Sequence, residues 1–261
     1  MLLCPMRIIS GEFRRRLLET PKDAQTTRPI PDRVKESLFQ VLRGHFEDEI
    51  VFDAFSGTGA IGLEAVSRGA SRCVLVERDK KVAEILKRNI ETLGCEDRCE
   101  LVVGDALGVG ALARCPKPCH LVFMDPPYPL VREATGFRRV MDQLSKLIDR
   151  LDDKGYAVLR TPWPLFVVEG VAEVEPEPEP EPERSLKKKR GDRDWEEPVR
   201  SPAAKRREPE IVEEPEAPEE IEAADVIQPP MSVRADLTIP NAKGPETHLY
   251  GSMAVHLYMK K

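Results

Sequence analysis

The sequence predicts an α/β fold in which a mostly parallel sheet carries helices on both faces. Two observations predict it, and a third places its functional edge. Short apolar runs near 50–54, 72–77, 100–104, 120–125 and 155–160 alternate with stretches of helical periodicity. Repeated strand–helix units of this kind bury a parallel sheet between two helix layers. The first four runs also close on an acid: Asp53, Glu77, Asp105 and Asp125. Ligands of such sheets bind outside the carboxyl ends of the strands, where all four acids are expected.

Residues 1–48 read as an N-terminal extension. Arg7-Ile8-Ile9-Ser10-Gly11-Glu12-Phe13 and Arg14-Arg15-Arg16-Leu17-Leu18 suggest a short strand pair carrying positive charge. Asp32 is expected to cap a helix whose apolar face holds Val34, Leu38, Val41 and Leu42. Arg28, Arg33 and Lys35 cluster near its start, where they can meet phosphates; a solvated helix face is the plainer alternative.

The core, residues 49–172, begins with Ile50-Val51-Phe52-Asp53. Gly57, Gly59 and Gly62 follow as G-x-G-x-x-G, with a strand before and a helix after. Glycines let the backbone turn sharply and approach a ligand closely. The next strand, Cys73-Val74-Leu75-Val76-Glu77, ends in an acid 20 residues after Gly57, a spacing that suits ribose hydroxyls. Asp79 through Leu93 is a helix, capped by Asp79 and stopped by Gly94. The third strand ends in Gly104-Asp105-Ala106, where Asp105 either lies near an adenine or merely caps a helix.

This pattern marks a nucleoside-cofactor site without separating a nicotinamide dinucleotide from S-adenosylmethionine. Asp53 beside the glycines favours the latter, since a carboxylate there can hold the loop or an ammonium group. So does the fourth strand, His120-Leu121-Val122-Phe123-Met124, which closes on Asp125-Pro126-Pro127-Tyr128. Two successive prolines cannot donate to a ladder, so the strand stops there. A carboxylate, a rigid backbone and an aromatic ring held together suit one task, gripping the exocyclic amino group of a flat base. A strand ending in a tight Pro turn is the plainer alternative.

Residues 173–230 are different in kind. They hold 19 acids against 10 Lys and Arg, and 11 of the chain's 24 prolines, with a Glu-Pro alternation from Glu175 to Glu183. Two basic clusters, Lys187 to Arg190 and Lys205 to Arg207, interrupt the acidic run. Such a segment buries too little apolar surface to offset ordering entropy and is expected to be a disordered insertion. Structure resumes over 231–261, where 234–239 and 252–258 read as a hairpin joined by 240–247. With the five core strands it completes a seven-stranded sheet.

The formal charge of −6 conceals a mildly basic remainder, 30 Lys and Arg against 27 acids, which permits nucleic-acid binding. No apolar run approaches the roughly 18 residues of a membrane span, and Met1-Leu2-Leu3-Cys4-Pro5 does not resemble a signal peptide. A cytoplasmic monomer with no membrane partner is expected. The C-x-x-x-C pairs Cys95/Cys99 and Cys115/Cys119 read as buried reduced thiols rather than a zinc site, so no metal is expected.

Together these residues resemble the bacterial methyltransferases that modify a guanine amino group in small-subunit ribosomal RNA, the RsmD-like family. The resemblance covers about 6–165 and 231–261. Its motifs are Arg7 to Gly11, the Arg-Pro-x-x-Asp-Arg-Val-Lys-Glu-x-Leu-Phe run at 28–39, Asp53 to Ala65, Asp125 to Tyr128, and Leu257-Tyr258. Ile30, Pro31 and Gln40 depart from the family pattern, as does the acidic insertion. The resemblance implies a Rossmann-like class I fold and S-adenosylmethionine held by Asp53, Phe55, Gly57, Gly59, Glu77, Asp105 and Ala106. It implies that Asp125, Pro126, Pro127 and Tyr128 handle the base, and that Arg7, Arg14, Arg28, Arg33 and Lys35 contact ribosomal RNA, free or in an assembly particle. Adenine methylation of DNA and a noncatalytic RNA-binding assembly factor are the rival readings; a dehydrogenase is more distant.

Overall fold

The structure, a computed structural model, describes residues 6–21, 31–168 and 232–261. The expected disorder of 173–230 and the placement of Arg28 lie outside the described residues.

Five strands form the parallel part of a seven-stranded sheet: β1 (Ile50–Asp53), β2 (Arg72–Glu77), β3 (Cys99–Val103), β4 (Cys119–Met124) and β5 (Leu151–Pro162). Two short strands, β6 (Phe166–Val168) and β7 (Ser232–Arg234), pair antiparallel with each other and flank the undescribed segment. The hairpin β8 (Ala242–Tyr250) and β9 (Met253–Lys260) completes the large sheet, whose order is β3-β2-β1-β4-β5-β9-β8. Strand order reverses between β1 and β4, which opens a crevice at their carboxyl ends.

Alternation along each strand divides the core in two. Val51, Leu75, Leu121 and Phe123 face one layer, with α1 (Asp32–Val41), α2 (Gly62–Ser67) and α3 (Lys80–Leu93). Phe52, Val74, Val76, Val122 and Met124 face the other, with α4 (Val109–Arg114), α5 (Tyr128–Arg132) and α6 (Ala134–Ile148). α3 follows its sequence signals: Asp79 Oδ1 accepts the N–H groups of Lys81 and Val82, and Gly94 closes the helix with a left-handed φ of 68°.

Four local expectations are corrected. Asp32 does not cap α1; Pro31 holds that position, and Asp32 instead pairs with Arg7 Nε at 3.0 Å. The inward face of α1 is Val34, Lys35, Leu38, Phe39 and Leu42, while Val41 is exposed. The C-terminal turn lies at Gly251 and Ser252, not at 240–247. Within the expected connection, Gly244-Pro245 makes an irregularity inside β8, where the register shifts between Lys243 and Glu246. The expected N-terminal strand pair reduces to a single antiparallel bridge, Arg7 to Leu17.

Candidate active site

β1 and β4 are hydrogen-bonded neighbours, so their ends bring two acids to one place. Asp53 is fully buried. Its Oδ2 accepts the Gly62 N–H at 2.9 Å, while Oδ1 is buried without a hydrogen-bond partner. Burial, aided by the charge of Asp125, pushes the Asp53 carboxyl up to about 7, against the opposing pull of the Gly62 N–H.

The glycine loop is braced from several directions. Ser56 Oγ donates to the Asp53 carbonyl, and Ser56 N–H donates to Val76 on the adjacent strand. Glu77 Oε2 accepts the Gly57 N–H at 2.9 Å while Oε1 accepts that of Asp79 at 2.7 Å. Gly57 and Gly59 hold φ of 54° and 93°, which side-chain-bearing residues rarely adopt. At Gly59 a Cβ would also stand 2.6 Å from Leu63 and 2.7 Å from Leu86; at Gly57 it would meet open space. Phe55 lies half-buried beside this loop.

Asp105 is exposed at the end of β3. Its Oδ1 accepts the Leu107 N–H, and Oδ2 lies 3.3 Å from Arg139. It is not the expected helix cap: α4 begins later with Gly108 in that position, and the Asp105 side chain closes a local turn. Ala106 is buried, and its carbonyl accepts from Gln143.

Asp125 has what Asp53 lacks. Arg160 holds it with both prongs, Nε to Oδ1 at 2.6 Å and Nη2 to Oδ2 at 2.7 Å. Burial pushes the Asp125 carboxyl up, and the guanidinium pulls against that shift. Pro126 is buried, and Pro127 caps α5, which opens at Tyr128. The half-buried Tyr128 ring has the guanidinium carbons of Arg160 and Arg132 at 5.9 and 6.0 Å from its centroid.

Arg160 escaped the sequence reading. The available signal was a lone charge in the apolar run Ala157-Val158-Leu159-Arg160, because a buried charge requires a partner. Arg7, Arg14 and Arg33 are exposed on the extension. Lys35 is not, and its expected contact with phosphate is corrected. Only 1% exposed, its Nζ lies 3.3 Å from Glu64 and donates to the Arg7 carbonyl. Glu64, itself fully buried, also accepts the N–H groups of Ile9 and Ser10 and pairs with Arg68. Helical spacing sets Lys35 beside Val34 and Leu38 on the inward face, where it clamps the extension onto α2.

A family model described as "Conserved hypothetical protein 95" matches residues 6–162. The chain is 38% identical over 151 residues to Ribosomal RNA small subunit methyltransferase D of Escherichia coli (strain K12), covering 58% of this chain and 69% of that one. The chain belongs to the RsmD-like family. A Haemophilus influenzae relative of the same name is 36% identical over 124 residues, covering 47% of this chain and 64% of that one. Among solved structures, a provisionally assigned methyltransferase, yhhF from Escherichia coli, superposes with a TM-score of 0.59 at 23% identity, covering 99% of both chains. The fold is the Rossmann-like class I methyltransferase fold. Among the described residues, no helix is long and apolar enough to cross a membrane.

Proposed function

We propose that this protein transfers the methyl group of S-adenosylmethionine to the exocyclic amino group of a guanine in small-subunit ribosomal RNA. The observation that carries the reading is Asp125: a carboxylate at a strand end, locked by Arg160 and followed by two prolines and an aromatic ring. The names of the Escherichia coli and Haemophilus influenzae relatives support ribosomal RNA as the substrate.

The residues at the sheet edge fit the methyl donor. The orphaned Asp53 Oδ1 is an acceptor waiting for a cationic donor such as the cofactor's ammonium group. Glu77 uses one lone pair of each oxygen on the loop and keeps others for ribose hydroxyls. Gly57 and Gly59 permit close approach of backbone, Phe55 flanks the loop, and Asp105 with Ala106 serves the adenine. When bound, S-adenosylmethionine supplies an electrophilic methyl group on a sulfonium.

The chain's own residues then make a poor nucleophile competent. The lone pair of a guanine amino group is delocalised into the ring. Asp125 and the Pro126 carbonyl accept hydrogen bonds from its two N–H groups and turn the lone pair toward the methyl group; the one proton shed as the N–C bond forms and the sulfonium C–S bond breaks leaves by way of the Asp125 carboxylate to solvent. This is orientation and electrostatic preorganisation, with Arg160 fixing the carboxylate before the base arrives. Tyr128 stacks on a base extruded from its helix. Exposed Arg7, Arg14 and Arg33, with Arg28, meet phosphates; residues 1–48 are the RNA-contacting extension of a core formed by 49–172 and 231–261. A monomer working in the cytoplasm on free RNA or an assembly particle suffices for this chemistry.

The test is transfer of labelled methyl to unmodified small ribosomal subunits, their naked RNA and duplex DNA, with nucleoside analysis. Label in N2-methylguanosine from RNA or subunits supports the reading. Label confined to DNA adenine, or cofactor binding without transfer to any substrate, overturns it.

A further inference from the structure

A second cluster sits at the opposite edge of the sheet, where the proposed transfer has no use for it. Glu49 immediately precedes β1, His120 is the second residue of β4, and Asp152 is the second residue of β5. Their ligand atoms all lie within 4.8 Å of one another. At strand rise, His120 is about 16 Å from Asp125 along β4.

Three features suggest that the cluster is built. First, β5 departs from the ladder to make it. Cys119 pairs with Leu151 but Leu121 pairs with Tyr156, so residues 152–155 form an excursion facing His120 alone. Gly155 permits the approach, since a Cβ there would stand 2.5 Å from the His120 carbonyl. Second, both nitrogens of the nearly buried His120 are assigned. Nδ1 faces Asp152 Oδ2 at 2.8 Å and Glu49 Oε2 at 3.6 Å, while Nε2 meets His45 Nδ1 at 2.9 Å. Third, the site stays open on one side, because the Glu49 and Asp152 side chains retain 39% and 32% exposure.

We propose that His120, Asp152 and Glu49 bind a divalent transition-metal ion of the zinc type, with His45 as the outer partner that orients His120. One imidazole nitrogen and two carboxylate oxygens, with room for water, form a donor set that zinc accepts. Ligands about 2.0–2.1 Å from a tetrahedral ion stand about 3.4 Å from one another, and the 2.8 and 3.6 Å separations bracket that value. The ion takes the place of the hydrogen between His120 Nδ1 and Asp152 Oδ2; the neutral imidazole then carries its single hydrogen on Nε2 instead, and His45 shifts its own from Nδ1 to Nε2, so no net proton is released. In that tautomer His120 Nε2 donates to His45 Nδ1, the second-layer contact that ligating histidines ordinarily make. Bound there, the ion ties the segment after α1 to the starts of β1, β4 and β5, so its role is structural.

The experiment is titration of the chelator-treated full-length protein with Zn²⁺ by calorimetry and with Co²⁺ by visible absorption. One equivalent is expected, with d–d bands and no thiolate-to-metal charge transfer, and with a higher melting temperature. His120→Asn and Asp152→Asn should each weaken binding at least about tenfold, and His45→Ala about 10–100-fold. Glu49→Gln, at a more exposed position, should weaken it without disturbing the metal-free melt, which keeps the test valid if a buried variant misfolds. Absent binding, a thiolate charge-transfer band, or affinity unchanged in Glu49→Gln and Asp152→Asn overturns the proposal and leaves a hydrogen-bonded His45–His120–Asp152 chain.

Discussion

Asp53 and Asp125 end neighbouring parallel strands where the strand order reverses, Asp53 fully buried and Asp125 with its side chain 14% exposed. They differ in what faces them. Asp125 has a two-pronged guanidinium, whereas Asp53 has one backbone N–H and an unpartnered oxygen. The counter-ion decides the chemistry. With Arg160 in place, Asp125 is a fixed acceptor whose remaining lone pairs are already aimed. Asp53, pushed up to about 7 by burial, ionises less readily than an ordinary carboxylate, and an arriving cation would favour its charged form. In the proposed reaction the first suits a neutral amino group and the second a charged ligand.

Removing the counter-ion from Asp125 should erase the difference. Arg160→Met leaves a buried carboxylate without its partner, at a cost of about 3–5 kcal/mol in stability. It should lower methyl transfer at neutral pH by about 10²–10³-fold. Because losing the cation raises the Asp125 pKa further, part of the activity should return as pH rises; a pH–rate profile checks this.

Glu77→Ala strikes the cofactor side. It removes the brace on Gly57 N–H together with the proposed ribose acceptor. Cofactor affinity by calorimetry should fall about 10²-fold, more than for any other single change at this edge. Unchanged affinity would remove Glu77 from the cofactor site.

Asp53→Asn tests the other half of the comparison. A folded-state value of about 7 means that the fold keeps a proton which the unfolded chain releases near pH 4. That contribution to stability is complete below the ordinary carboxylate range and is lost as pH rises through about 7. The loss is up to about 4 kcal/mol. Denaturant melts at pH 5 and pH 8 should show this decline in the parent protein and a flatter dependence in Asp53→Asn, whose cofactor affinity should fall about tenfold.

The smallest effect on RNA is expected from Lys35→Met. It breaks the buried pair with Glu64 and costs stability, yet RNA affinity and its salt slope should stay within error. Arg33→Ala, in contrast, should reduce the salt slope by about one. Filter binding at several salt concentrations separates the two.

Much of the sheet edge was legible because it rests on local rules. The Gly57/Gly59 turn, the Asp79 cap with Gly94, and the proline stop after Asp125 each follow from residues within a few positions. What escaped depends on partners far along the chain. Arg160 is 35 residues from Asp125, and Glu64 is 29 from Lys35, so no periodicity pairs them. A lysine on a helix reads as solvated until the opposing surface is known. The expected connection at 240–247 instead pairs with β9 on both sides of the irregularity at Gly244-Pro245, and the reversal falls at Gly251. His45, His120 and Asp152 were invisible for the same reason, coming from three separate elements.

The most direct measurement is single-turnover methyl transfer to unmodified small ribosomal subunits by the parent protein and Asp125→Ala, with cofactor affinity measured on both. The account predicts N2-methylguanosine from the parent, at least about 10²-fold slower transfer by the variant, and near-equal cofactor affinity. Equal transfer rates would contradict it, because the carboxylate that Arg160 holds would then have no part in gripping the base.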